Sequence, residues 1–180
     1  MAVERARNRN SRRPLDEEGL EQLALRYVSR YATTRAKLAA YLERKVRDRG
    51  WCGGADPPVE TVVARMTELG FVDDSAYAAA RAASLGRRGY GERRVRAALR
   101  AAGIEEEDAA SAEEDARTGA WDSALRLARR RAIGPFAAVE PDRASRERAL
   151  GILLRAGHAP ELARRLAYAR RGEIPDADTV

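Results

Sequence analysis

Cysteine and histidine are nearly missing from this sequence, with Cys52 and His158 the sole examples in 180 residues. One cysteine excludes an internal disulfide, and one of each excludes the usual zinc sets of cysteine and histidine. A reducing, cytoplasmic setting is therefore expected. Aromatic residues make up only 6% of the chain, and β-branched residues rarely occur in runs, which argues against sheet. No stretch approaches the ~18 to 20 apolar residues that span a bilayer. The opening "MAVERARNRNSRR" also lacks the apolar segment of a signal peptide, so no membrane partner is expected. There is no Walker A sequence, and "GYGERR" lacks the third glycine and the preceding strand of a dinucleotide fingerprint. No cofactor is expected. A single His and a single Cys supply no paired nucleophile and base, so the chain does not read as an enzyme.

Alanine and arginine dominate what is present. The formal net charge is +6 and the sequence pI is about 10.0, which favours an acidic partner, nucleic acid being the commonest in a cell. Residues 1–16 read as a flexible basic arm, arginine-rich and without hydrophobic period at least to Arg13. From Leu20 the apolar positions fall on one helical face: Leu20, Leu23, Ala24, Tyr27, Val28 and Tyr31. Thr33 and Thr34 would cap a second helix with Leu38, Tyr41, Leu42 and Val46 inside, ending at Gly50. "ADPP" would supply an Asp cap for a third, burying Val59, Val62, Val63, Met66 and Leu69.

The pattern then restarts at Asp73 and Asp74, and once more at Trp121. Its marker is the end of each middle helix, "VRDRGW", "LRAAGI" and "LLRAGH", whose glycines Gly50, Gly103 and Gly157 lie 53 and 54 residues apart. Each would be a helix-ending glycine, with Trp51, Ile104 and His158 in an equivalent packing slot after it. The expected fold is all-α: three tandem three-helix repeats at 17–70, 71–118 and 119–171, stacked into an elongated, curved array, with a disordered tail at 172–180. A monomer is expected.

The most unusual stretch is "RRGYGERRVRAALRAAGI" at 87–104. With about 100° between successive residues of a helix, Val95, Leu99 and Ala102 form a buried stripe while Arg93, Arg96 and Arg100 share the opposite face. Arg87 and Arg88 extend that charge, and only Glu92 opposes it. Gly89 and Gly91 would let the chain turn sharply, leaving the first helical amides outward as an anion site. Tyr90 between them is either a corner plug or a contact. Phosphate or carboxylate would suit the arginine forks. The acidic run Glu105, Glu106, Glu107, Asp108, Glu113, Glu114 and Asp115 does not have calcium-loop spacing. It reads as helix N-terminal stabilisation or as neutralisation of the basic helix before it, and no metal is expected.

Residues 69–104, "LGFVDDSAYAAARAASLGRRGYGERRVRAALRAAGI", resemble the RecX regulators of the recombinase RecA. They show Gly-hydrophobic-hydrophobic-Asp-Asp before an aromatic at Tyr77, then Arg-Arg-Gly-aromatic-Gly, then a basic helix closing on Gly-Ile. "ALRYVSRYATTRAKLAAYLERK" resembles the first repeat of that family, except that Lys37 stands where a glutamate is usual, and "RALGILLRAGH" matches the third loosely. The resemblance implies a helical-repeat protein that lodges along the groove of the RecA nucleoprotein filament, limiting its growth, ATP hydrolysis and strand exchange. Charge alone implies a second reading, a general nucleic-acid-binding protein on stacked basic helices. Beside the filament, single- or double-stranded DNA is expected as a weak partner.

Overall fold

The computed structural model describes residues 13–177. Among them nine α-helices follow one another: α1 Glu17–Val28, α2 Arg35–Arg49, α3 Val59–Glu68, α4 Asp74–Arg87, α5 Glu92–Ala101, α6 Glu106–Thr118, α7 Ala120–Arg131, α8 Arg143–Arg155 and α9 Pro160–Tyr168. A short 3-10 turn, Gly134–Phe136, precedes α8, and no named strand occurs among the described residues. The architecture is the expected all-α series of three three-helix repeats. No helix among the described residues is long and apolar enough to cross a membrane.

Local chemistry fixes most of the boundaries. Asp16 caps α1, its side chain accepting from the Gly19 amide at 2.8 Å, and Glu17 and Glu18 oppose the dipole in the first turn. Thr34 caps α2 by accepting from the Lys37 amide at 3.2 Å. Asp73 accepts from the Ala76 amide at 2.8 Å ahead of α4, and Asp142 from the Ser145 amide ahead of α8. The marker glycines all take positive φ: 80° at Gly50, 72° at Gly103 and 92° at Gly157. The slot after each is filled by a half-buried Trp51, a buried Ile104 and a buried His158.

By their contacts the residues divide into two units. The first runs to Tyr77 and includes Ala102–Ile104. Its core joins Leu20 and Ala24 of α1, Leu38 and Leu42 of α2, and Val59, Val62, Val63 and Met66 of α3, with Leu15 and Val72. Thr34 is buried and its hydroxyl donates to the Ala102 carbonyl at 2.7 Å. Asp74, also buried, accepts from the backbone amide and the guanidinium of Arg35 at 2.9 and 3.3 Å. Lys37 meets Tyr77, donating to its hydroxyl at 2.7 Å with the ammonium 4.7 Å from the ring centroid. Lys37 therefore finds an aromatic partner across the helices.

The second unit comprises 78–101 and the residues from Glu105 onward. Val95 and Leu99 of α5 and Ala109 and Ala112 of α6 are buried. A further core joins Ala124, Leu127 and Ala128 of α7, Ala149 and Leu153 of α8, and Ala163, Leu166 and Ala167 of α9. Alanine on one helix facing leucine on the next lets backbones approach closely. This accounts for how a chain with so few aromatics builds a core.

Several expectations need correction. Residues 1–12 of the expected arm lie outside the described residues, but Leu15 is 1% exposed and bound on both sides. Its amide donates to the Gly50 carbonyl and its carbonyl accepts from the Cys52 amide, each at 2.9 Å. A lone leucine in a polar run gave no period to read, yet its burial is what ties it down. Tyr31 is 58% exposed because α1 stops at Val28, and Leu69 is 57% exposed because it lies just past α3. Asp56 does not cap α3: Pro58 holds that position without any side-chain hydrogen bond. Of the expected tail, residues 178–180 lie outside the description, while the Gly172 amide donates to the Pro135 carbonyl at 2.9 Å and Arg165 donates to the Asp176 carbonyl.

Candidate partner-binding face

The basic segment lies in the second unit, where α4 ends in Arg87 and Arg88 and α5 begins after Gly91. Arg87, Arg88, Arg93 and Arg100 are exposed. So is Arg94, which the sequence reading passed over because it sits beside the buried stripe rather than opposite it. Among the described residues no carboxylate lies within ion-pair distance of any of these five. Their charge is uncompensated.

Arg96 behaves differently. Its Nη2 donates to Glu92 at 2.6 Å and its Nε to Glu113 at 2.7 Å, so it bridges the first turn of α5 to α6. The Glu113 hydrogen bond, then the charges of both carboxylates, push its pKa further up. Helical period placed Arg96 on the basic face, and the fold brings an acidic helix against that side. Arg96 is a structural tie and is removed from the set of candidate contacts. The acidic run partly serves the neutralising role expected of it through Glu113, while Glu114 pairs with Arg117 in its own helix.

Tyr90 is half-buried and packs against the core of α7 to α9. Two guanidiniums flank its ring, Arg88 at 5.3 Å and Arg94 at 5.8 Å from the centroid. It also borders a pocket of about 250 Å³, shared with Ala82, Ala83, Val95 and Ser123. The ring plugs the corner and holds Arg88 and Arg94 over it by cation–π attraction.

The expected anion site at the start of α5 is not there. The amides of Gly91 and Arg93 donate to the carbonyls of Ala156 and Gly157 at 2.9 and 3.2 Å, so the helix end is capped by the chain that follows α8. Glycine is required for that approach: a Cβ at Gly91 would sit 2.5 Å from the Gly157 carbonyl oxygen, and one at Gly157 would sit 2.5 Å from the Arg94 nitrogen. A pair of glycines 66 residues apart could not be matched by reading either helix alone.

His158 completes this junction. It is 1% exposed, with Nε2 3.0 Å from the Gly89 carbonyl. A carbonyl only accepts, so Nε2 carries the proton and donates, leaving Nδ1 buried without a partner. Burial pushes the imidazole below its ordinary pKa of 6.5, the Gly89 hydrogen bond opposing more weakly. Charging the ring would place a second N–H where nothing accepts it. A depressed folded-state pKa means that the unfolded chain binds the proton first, so stability present above about pH 6.5 is lost as pH falls toward the folded value. Thermal melts should decline between pH 7.5 and 5.5, and His158→Asn should flatten that decline. An identical pH slope in both proteins would contradict this account.

Among the described residues no group of three or more His, Cys, Asp or Glu could hold a metal ion. The arrangement offers recognition through five uncompensated guanidiniums, two of them braced on an aromatic ring.

The comparisons with known proteins agree with this picture. Residues 73–112, which contain all of α5 and Gly91 on its side of the junction, match the family described as RecX, second three-helix domain. The chain is 35% identical over 156 residues to the regulatory protein RecX of Myxococcus xanthus strain DK1622, covering 82% of this chain and 83% of that one. It is 34% identical over 155 residues to the regulatory protein RecX of Mycobacterium sp. strain JLS, covering 83% and 82%. The crystal structure of RecX from Lactobacillus salivarius superposes with a TM-score of 0.65 at 17% identity over 81% of this chain and 90% of that chain. A second crystal structure of a regulatory protein RecX gives 0.64 at 20% identity over 83% and 72%. With a buried-glycine junction, a basic second repeat and relatives this similar across four fifths of its length, the chain belongs to the RecX family of regulatory proteins.

Proposed function

We propose that this protein binds the RecA nucleoprotein filament and restrains it, limiting growth, ATP hydrolysis and strand exchange without any catalysis of its own. The observation that supports this most directly is the uncompensated set Arg87, Arg88, Arg93, Arg94 and Arg100 within the repeat that matches the family. A row of guanidiniums suits carboxylates of a protein surface or phosphates of the DNA that a filament carries. A filament amplifies such contacts, because one occupied end or groove site affects many neighbouring subunits. The protein would act as a cytoplasmic monomer with weak affinity for bare DNA.

The test is ATP hydrolysis by RecA on single-stranded DNA, titrated with this protein. Inhibition should be substantial at far fewer copies than recombinase subunits. Should turnover fall only once the DNA is saturated, the protein is a general nucleic-acid binder that competes for substrate, and the filament reading is wrong.

A further inference from the structure

A second cationic and aromatic cluster lies in the first unit. The rings of Tyr27 on α1 and Tyr41 on α2 are stacked with centroids 4.2 Å apart and planes at 22°. Tyr31, just past α1, adds a third ring 5.3 Å from Tyr27. The Arg44 guanidinium and Lys45 ammonium lie 5.7 and 5.6 Å from the Tyr41 centroid. Burial and then Tyr27 raise the Tyr41 hydroxyl pKa, whereas Arg44 and Arg26 lower it, which places Arg26 within electrostatic reach of the same ring. Arg30 sits beside Tyr31 in the chain and is exposed.

Core packing explains only part of this cluster. Tyr27 and Tyr41 rest on the buried core of the unit, but Tyr31 does not join it and is 58% exposed. Nor is the charge needed for pairing. Among the described residues no carboxylate lies within ion-pair distance of Arg26, Arg30, Arg44 or Lys45, and Arg26 is held by the Gln22 side-chain oxygen at 3.2 Å. An open aromatic face ringed by unpaired cations matches a ligand with flat π-faces strung on a polyanion. A folded acidic protein offers the charge without the π-faces, and a duplex offers phosphates but keeps its base faces stacked inside.

We infer that Tyr31, backed by Tyr27 and Tyr41, is a base-stacking platform for single-stranded nucleic acid, with Arg26, Arg30, Arg44 and Lys45 holding the phosphates on either side. This site does not depend on the α5 face or on a recombinase, so it stands or falls on bare oligonucleotide.

The probe is a fluorescein-labelled 20-mer of deoxythymidine, read by polarisation with the full chain at fixed salt. Tyr31→Ala should weaken binding roughly 5- to 150-fold, the span expected for loss of one base–aromatic stack, while Tyr31→Phe retains parental affinity. Replacing Arg30 and Arg44 together by glutamine should lower the slope of log affinity against log salt by about 1.4, about 0.7 per phosphate contact on single strands. Tyr31→Ala should leave the slope, the far-UV circular dichroism and the affinity for a 20-base-pair duplex unchanged. Unaltered binding of the 20-mer by Tyr31→Ala overturns the inference. So does an equal loss on single strand and duplex, or a loss confined to RecA filaments, which would mark the patch as a protein contact.

Discussion

Reversing Arg87, Arg88, Arg93 and Arg100 to glutamate together should abolish inhibition of recombinase ATP hydrolysis at concentrations where the parent inhibits fully, with filament affinity lowered at least about 100-fold. All four side chains are exposed and without a carboxylate partner, so the fold loses only the contact of Arg88 with the Tyr90 ring. Solvent-face changes of this kind usually move stability by only about ±0.5 kcal/mol each. Setting like charges against an acidic surface, by contrast, costs several kcal/mol. Arg96 must stay: Arg96→Glu would place a third carboxylate beside Glu92 and Glu113, and any loss of activity would then report on unfolding. If the partner atoms are duplex phosphates, the quadruple variant should also lower the logarithmic salt slope by about 3 to 4. If they are carboxylates of the recombinase, weak binding of bare DNA should persist. A well-folded quadruple variant that inhibits like the parent would exclude this face as the contact.

Gly157→Val should be among the most damaging single substitutions. At φ 92° a β-branched side chain is strained whatever the space around it, and its Cβ would meet the Arg94 nitrogen at 2.5 Å. Strain and overpacking of about 1 to 3 kcal/mol each put the expected loss near 3 to 5 kcal/mol, a large share of the stability of a unit this size. The substitution would also displace the Gly157 carbonyl from the Arg93 amide and His158 from the Gly89 carbonyl. Circular dichroism melts should show the transition of the second unit lowered by at least about 10 °C. A melting curve matching the parent would mean that the junction rearranges at little cost.

Much of the fold was legible because it rests on local rules. The positions of Leu38, Leu42, Val62 and Met66 follow helical period, and the glycine markers recur at near-constant spacing, so nine helices in three repeats could be read along the chain. What was hidden depends on residues far apart in sequence. Leu15 is hydrogen-bonded to Gly50 and Cys52, and Asp74 to Arg35, and neither pairing leaves a local signature. The candidate site shows the same divide. Exposure of Arg93 and Arg100 follows from geometry about the α5 axis, whereas the fate of Arg96 was decided by Glu113 on another helix. Arg94 was missed because its value lies in Tyr90 and not in its own helical face.

The junction of Gly91 with Gly157 is made by main chain against main chain, and that has a bearing on how such a protein drifts over generations. Amides and carbonyls are the same in every residue, so a contact built from them transmits almost no selection to the neighbouring side chains, while forbidding any Cβ at the two crossing points. Substitutions could accumulate along α8 without loosening its hold on α5. Across relatives, the positions equivalent to 91 and 157 should keep glycine where the surrounding helices have exchanged nearly everything else.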